Sequence, residues 1–552
     1  MISNNAALFL HPGGYDTSGP HLLGRLSAGE SFLRGFVRHA EVDRFHFWNA
    51  GGRGQPELDA LVQRIEAPSR PINWIAQTNR RGLAEAGVLN LPGPGLNTEA
   101  FHRRPLGPRL YGVCGITHTT ATARIMQAIA ETLIAPVEDF DALICTSEAV
   151  RHSIETQLDG MRAYLAEEFG PKRRPEPMRV TIPLGVNVDD FATSSEHRKA
   201  WRERLDIPED AVVALFVGRF DVRGKMNPAL MALALERAAK ASSKPIYWVN
   251  SGWAGSLEVE ENYHTQSRLL CPSVHYRNVD GRPPDVRFSI WSVADFFISF
   301  SDNIQETFGL TPVEAMAAGL PCVVTDWDGY KDTVRHKVDG FRVPTIAPGP
   351  GNGADLAYWF DNQWINYDNY IGATAQFTAI DYVAAEEFIL ALVENEDLRL
   401  HMGAQAQARA RSVFDWAAIV PQYQALWAEQ NARRLSKQAE APIRFNPYRP
   451  DPYTLFQSYP THHLSRQFKV QVSPGLTWEE ARDLLNSPMA IYSMFNRPTL
   501  EECQQVHTWL GERPGATVEQ VVEIFPAHRR PHVERGLLWL ARYGVIRLTP
   551  QG

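Results

Sequence analysis

Seven residues separate Glu306 from Glu314 in Glu306-Thr-Phe308-Gly309-Leu310-Thr-Pro-Val-Glu314. Ionised carboxylates accept hydrogen bonds from hydroxyls, and two of them flanking a turn into a helix suit a ligand rich in hydroxyl groups. Gly309 relaxes the backbone so that consecutive N–H groups can face that ligand, and the sequence predicts Thr311 as N-cap and Pro312 as first residue of the helix. A helix start presents unpaired amides and the positive end of its dipole, which attract a phosphate or a polar sugar. The same letters permit a structural reading for one carboxylate: Thr311-x-x-Glu314 spells a capping box, in which Glu314 closes its own helix. Glu306 has no such local role.

The matching cations lie upstream in Val217-Gly218-Arg219-Phe-Asp-Val-Arg223-Gly-Lys225, just after a predicted strand. Gly218 allows close backbone approach, and Arg219 and Lys225 can neutralise a departing diphosphate. Arg223 competes with Lys225 for that role, and an Arg/Lys loop can also be a solvated turn. His118, in Gly115-Ile-Thr-His-Thr-Thr, follows another predicted strand, which sets its imidazole at a strand's carboxyl end; a structural histidine is the alternative. Gly24 and Gly29 form a glycine-containing segment before the first helix, with Gly13 and Gly14 as rivals. The acidic pairs Asp139-Phe-Asp141 and Asp326-Trp-Asp328 have the D-x-D spacing of a metal site.

The carboxylate pair resembles the E-x7-E signature of retaining glycosyltransferases of family 4, whose fold is GT-B: α/β, with two doubly wound Rossmann-like domains facing a cleft. Arg219 to Lys225 resembles that family's G-R-x-x-x-K-G loop, with one extra residue and no glycine after the lysine. Ile182-Pro183 to Phe191 resembles its hinge segment. The resemblance covers about residues 6 to 435 and is strongest from Val217 to Val343.

It implies a sugar transfer from a UDP-, GDP- or ADP-sugar to an acceptor hydroxyl on a glycan, polysaccharide or glycolipid. It also implies retention by same-face attack, in which the departing phosphate helps remove the acceptor proton. On this resemblance Glu306 orients the donor sugar, Glu314 holds the ribose and His118 contacts the sugar beside its anomeric centre. Arg219 and Lys225 stabilise the leaving group, Gly218, Phe308, Gly309 and Leu310 complete the donor site, and the Gly24–Gly29 loop lies near phosphate and acceptor. Such enzymes stabilise the leaving group with cations and helix dipoles, so no essential metal is expected. The alternatives are synthesis of a small free glycoside, or a non-catalytic nucleotide-sugar sensor whose tail binds DNA or protein.

The elements that must position these residues read as βα units. Predicted strands are Ala6–Leu10, Arg44–Trp48, Tyr111–Ile116, Ala142–Thr146 and Val180–Ile182 in a first domain (1–191). The second (198–414) has Val212–Val217, Ile246–Asn250, Phe296–Ser299 and Cys322–Thr325, after a polar linker from Ala192 to His197. Helices follow at Val383–Glu394, Leu398–Ser412 and Trp416–Arg434, the last containing Pro421 and expected, from the resemblance, to cross back to the first domain (415–435). Ala347–Phe377 reads as a long loop holding Tyr358, Trp359, Phe360, Trp364, Tyr367 and Tyr370, able to stack on acceptor sugars or to form a satellite core.

From Ala441 to Gly552 a proline-rich lead opens a mainly helical module whose end, Thr517–Phe525, Val533–Tyr543 and Gly544–Leu548, has a winged-helix outline. Arg529, Arg530 and Arg535 could meet phosphates there, while protein docking or capping uses the same outline.

A chain of 552 residues with 44% hydrophobic and 21% charged residues suits a multidomain globular enzyme. Its net charge of -8 argues against coating nucleic acid as a main task. Five scattered cysteines without C-x-x-C spacing suggest neither disulfides nor a zinc cage and fit a reducing cytoplasm. No secretory signal pattern or run of ~20 apolar residues is read, so membrane association is expected to be peripheral at most.

Overall fold

The computed structural model describes residues 3–17, 24–171, 174–438, 446–493 and 497–550. The chain forms two compact units, Met1–Arg444 and Phe445–Gly552.

In the first unit, seven strands build one parallel sheet: β1 Ala7–Leu10, β2 Phe45–Asn49, β3 Ile72–Ile75, β4 Val88–Asn90, β5 Gly112–Ile116, β6 Ala142–Cys145 and β7 Met178–Thr181. Their order is β3-β2-β1-β4-β5-β6-β7. Six more strands build a second parallel sheet: β8 Val212–Arg219, β9 Ile246–Trp253, β10 His275–Asp280, β11 Phe296–Ser299, β12 Cys322–Thr325 and β13 Gly340–Val343, in the order β10-β9-β8-β11-β12-β13. Strands covered by helices on both faces bury both sets of side chains, which is why β6, β11 and β12 are buried throughout and are mainly apolar. Two doubly wound sheets whose winding reverses beside β1 and beside β8 constitute the GT-B architecture.

Four strands of these two sheets escaped the sequence reading. β3, β10 and β13 are edge strands, where half-exposed backbone tolerates polar letters such as His-Tyr-Arg-Asn-Val-Asp. β4 is only three residues long. Three further expectations are corrected. The glycine segment before the first helix is itself helical: Gly24–His39 is one helix, and a Cβ on Gly29 would lie 2.0 Å from the Gly14 carbonyl oxygen, so the glycine is there for close packing. The polar linker holds the start of a helix, Ser195–Arg204, capped by Ser194. The aromatic loop holds two helices, Ala354–Asp361 and Tyr367–Ala375, beside a two-stranded ribbon of β14 Thr345–Ile346 and β15 Ala379–Ile380.

The hinge segment and the approach to the last helix run side by side, Val186 N–H donating to Phe414 O at 2.8 Å. That helix, Trp416–Ser436, contains Pro421 and packs on the first half of the unit. Trp416 sits where any side chain at Gly35 would have to go, and the Gln430 amide donates to Val113 O and Phe140 O at 3.1 and 2.9 Å.

The second unit pairs an antiparallel sheet of β16 Lys469–Val472, β17 Ala516–Thr517 and β18 Ile546–Thr549 with helices including Leu500–Gly511, Val518–Glu523 and Arg530–Arg542. Val470, Leu485, Val521 and Leu537 are fully buried in its core. Of the arginines considered for phosphate contact, Arg529 is paired with Glu502 at 2.7 Å and Arg530 donates to Phe525 O at 2.9 Å.

Candidate active site

β8 and β11 are neighbours, and the chain leaves them in opposite directions across the sheet, so a crevice opens at their carboxyl ends. The loop after β8 carries Arg219 to Lys225, and the segment after β11 carries Ser301 to Gly309. Two side-chain amides tie them together: Asn303 donates to Arg223 O, and Gln305 donates to Gly224 O at 2.7 Å. This brackets Lys225 Nζ against Glu306 Oε2 at 2.6 Å. Burial opposes the charge on Lys225, yet the Glu306 carboxylate beside it holds the ammonium above its ordinary range. Glu306 is likewise disfavoured by burial, but Lys225 and the N–H groups of Thr307 and Phe308 hold it below the usual carboxylate range. Both stay ionised at neutral pH.

Glu306 lines a cavity of about 450 Å³ whose walls come from both halves of the unit: Thr120 and, on the helix Glu148–Phe169, Val150 and Gln157 from the first, Trp327 and Asp328 from the second. Asp328, the second acid of a D-x-D pair, has a left-handed backbone with φ of 42°. Burial and the nearby Glu306 push its carboxyl well above the ordinary range. The neighbouring Gly329 has no room for a side chain, since a Cβ there would lie 2.4 Å from Phe308 Cα.

The predicted helix start is corrected here. The helix is Leu310–Ala317, with Gly309 as its N-cap at φ 88° and no side-chain cap. Thr311 and Pro312 are therefore inside the first turn, and the Thr311–Glu314 capping box does not form. The left-handed Gly309 lets the chain turn into the helix earlier than a β-branched cap would, and it leaves room for the Tyr330 ring, which would come within 2.2 Å of a Cβ. Phe308 is buried against Phe414. Glu314, freed of capping, lines a separate small cavity of about 60 Å³ with Ser27, Glu30, Arg287 and Leu310. Burial raises its pKa against the opposing pull of Arg287 and Lys225.

His118 lines a third small cavity, with Tyr15, Gly29 and Asn90, rather than the one lined by Glu306. Arg219 is half-exposed and turned onto its own loop, donating to Asp221 at 3.2 Å and to Gly224 O at 3.4 Å. Asp221 also accepts from the N–H groups of Arg223 and Gly224, which shapes the loop. Gly218 packs beside Lys225.

Neither D-x-D pair is a metal site in its geometry. Asp141 is engaged by Arg103, Asp326 lies 3.3 Å from Arg342, and no cluster of three acidic, histidine or cysteine side chains occurs among the described residues. Sequence reasoning missed Tyr367, whose hydroxyl donates to Gln305 Oε1 at 3.0 Å and lies 3.3 Å from Thr119 Oγ1. It links the residue before Glu306 to the residue after His118, and only its place among the insert's aromatics hinted at this.

Residues 197–348 match the family described as glycosyl transferases group 1. The chain is 26% identical over 250 residues to a D-inositol 3-phosphate glycosyltransferase of Corynebacterium efficiens, covering 45% of this chain and 49% of that protein. It is 32% identical over 206 residues to the protein of the same name from Streptomyces scabiei, covering 34% and 44%. The chain thus spans about half the length of the curated relatives it matches. A crystal structure of Anabaena Alr3699/HepE with UDP and glucose aligns over 79% of this chain and 100% of that one, at 16% identity and a TM-score of 0.47. No described helix is long and apolar enough to cross a membrane.

Proposed function

We propose that the protein is a glycosyltransferase that moves a sugar, with retention, from a nucleoside diphosphate to an acceptor hydroxyl. The observation that carries this reading is the Lys225–Glu306 pair on the wall of a cavity built from both halves of the first unit. A carboxylate kept ionised there accepts hydrogen bonds from sugar hydroxyls, and the adjacent ammonium, with Arg219 free to swing from Asp221, offsets charge developing on a departing diphosphate. Glu314, at the start of an amide-rich helix end, is assigned to the ribose, and His118 to the sugar face.

The acceptor is a glycan, polysaccharide or glycolipid. A small polyol acceptor is the second reading, favoured by the similarity to proteins named D-inositol 3-phosphate glycosyltransferase. The test is a transfer and donor-hydrolysis screen of the full chain with UDP-, GDP- and ADP-sugars, followed by NMR of the product's anomeric configuration. Release of nucleotide from one class, with an axial-to-axial or equatorial-to-equatorial outcome, is expected. Binding without any turnover would instead favour a nucleotide-sugar sensor.

A further inference from the structure

The two helices of the aromatic insert lie outside the stretch that matches the family, and they wall a second large cavity. This one, of about 420 Å³, is bounded by Trp359 and Asn369 of the insert's two helices and by Val222, Asn227 and Asp302 of the second sheet's loops. The segment after β11 divides it from the first: Asp302 lines this cavity, whereas Ile304 and Glu306 line the other.

Asp302 is 3% exposed, and its Oδ1 accepts no hydrogen bond among the described residues. Leaving a buried acceptor unsatisfied costs about 1–3 kcal/mol, more when it is charged, so an oxygen held this way at a cavity wall is suited to a hydrogen supplied from within the cavity. Burial, opposed by backbone N–H groups of Asp302 and Asn227, pushes its carboxyl up to about 7, so it can accept or donate near neutrality. Around it stand the amides of Asn227, Asn369 and Gln376, each both donor and acceptor. Trp359 remains 39% exposed, while Phe360 stacks on Tyr370 at 4.3 Å and Tyr358 meets Trp364 edge-on at 5.4 Å. Four of the insert's aromatics thus satisfy one another, and Trp359 lines the cavity.

An acid oxygen and three amides around an aromatic face match the alternating hydroxyls and C–H face of a sugar ring. A metal ion is a poorer fit, because Asp302 belongs to no cluster of ligating side chains among the described residues. Asp302 disfavours an anion, and Arg223, which also lines the cavity, forms no ion pair with it among the described residues, so a neutral ligand is the best match.

We propose that this cavity is a second saccharide-binding site, in which Trp359 stacks against a neutral sugar unit while Asp302 and Asn369 bind its hydroxyls. The unit is either a free saccharide or part of a longer glycan. The site shares the loop of Arg219 and Lys225 as one of its walls but none of the residues assigned to the donor, so it stands or falls separately from the transferase reading.

The test is saturation-transfer NMR and calorimetry on the full-length protein with glucose, mannose, N-acetylglucosamine and maltotriose, each with and without saturating UDP. At least one sugar is expected to bind, undisturbed by UDP, and to lose at least about tenfold in affinity in both Trp359→Ala and Asp302→Asn. Trp359→Ala removes a half-exposed side chain, and a thermal melt checks that each variant is folded; if Asp302→Asn is not, Asn369→Ala replaces it. Tighter binding of maltotriose than of any monosaccharide assigns the site to a glycan chain, and equal binding assigns it to free saccharide. No binding by any of the four, displacement by UDP, or full affinity in either folded variant overturns the proposal.

Discussion

Two ion pairs in the first unit use the same chemistry to opposite ends. Arg103 and Asp141 are wholly buried, and Asp141 is saturated: it takes two hydrogen bonds from Arg103 at 2.6 and 2.8 Å, and one each from the N–H groups of Val113 and Glu138 at 2.8 Å. Lys225 and Glu306 keep 20% and 16% of their side-chain surface open, and apart from Lys225 the carboxylate has only backbone N–H groups, that of Thr307 at 3.3 Å. The Asp141 carboxylate has no lone pair left for a ligand and ties the start of β6 to its neighbours. The second retains lone pairs that face a cavity. Saturation separates a structural pair from one available for chemistry better than burial alone does.

The contrast can be broken most directly at Asp141. Asp141→Ala leaves Arg103 charged and unpaired in the core, and a loss of about 3–5 kcal/mol in urea unfolding is expected; a variant as stable as the parent would erase the distinction. Glu306→Gln should do the reverse, lowering turnover by about a hundredfold with a far smaller change in stability and nearly intact affinity for the bare nucleoside diphosphate. Normal turnover in this variant removes the basis of the donor assignment.

The same variant sharpens the comparison through pH. Glu306 has a depressed folded pKa, so its contribution is present above the ordinary 4.5 and fades as pH falls through the lower folded value. Lys225 has a raised one, so its contribution holds below 10.5 and is lost only as pH rises through the folded value. The stability gap between parent and Glu306→Gln should therefore stay flat between those limits and close outside them.

Glu314→Gln is expected to weaken the nucleotide by about 1–3 kcal/mol through lost charge-assisted hydrogen bonds. With the capping box absent, silence in calorimetry would leave Glu314 without a role. The smallest effect belongs to chelation. Cationic side chains stand where the diphosphate is assigned, so excess EDTA should change transfer by less than about twofold, and a loss restored by Mg²⁺ or Mn²⁺ would move the leaving-group role from Lys225 to a metal.

Much of this was legible in the letters. β11 and β12 were read to the residue because buried parallel strands are dominated by apolar letters, and Gly309 was marked as a point where the backbone relaxes, which the structure realises as a left-handed turn. The cap at Thr311 was misread because a side-chain capping motif and a glycine cap cannot be told apart until the neighbouring Tyr330 ring is in place. Gly29 was misread as a loop residue because its reason for being glycine is a distant carbonyl, that of Gly14.

By itself the sequence determined most strands of the two parallel sheets, which residues carried charge at their carboxyl ends, and that Glu306 had no local partner to explain it. All of these follow from short-range rules of periodicity, turn chemistry and spacing. Only the tertiary structure decided that Lys225, 81 residues earlier, is the partner of Glu306, that Glu314 faces another cavity, and that Asp141 is consumed by Arg103. Those outcomes depend on β8 and β11 becoming neighbours in the sheet, and strand adjacency is set by packing of the whole domain, which no local window of residues encodes.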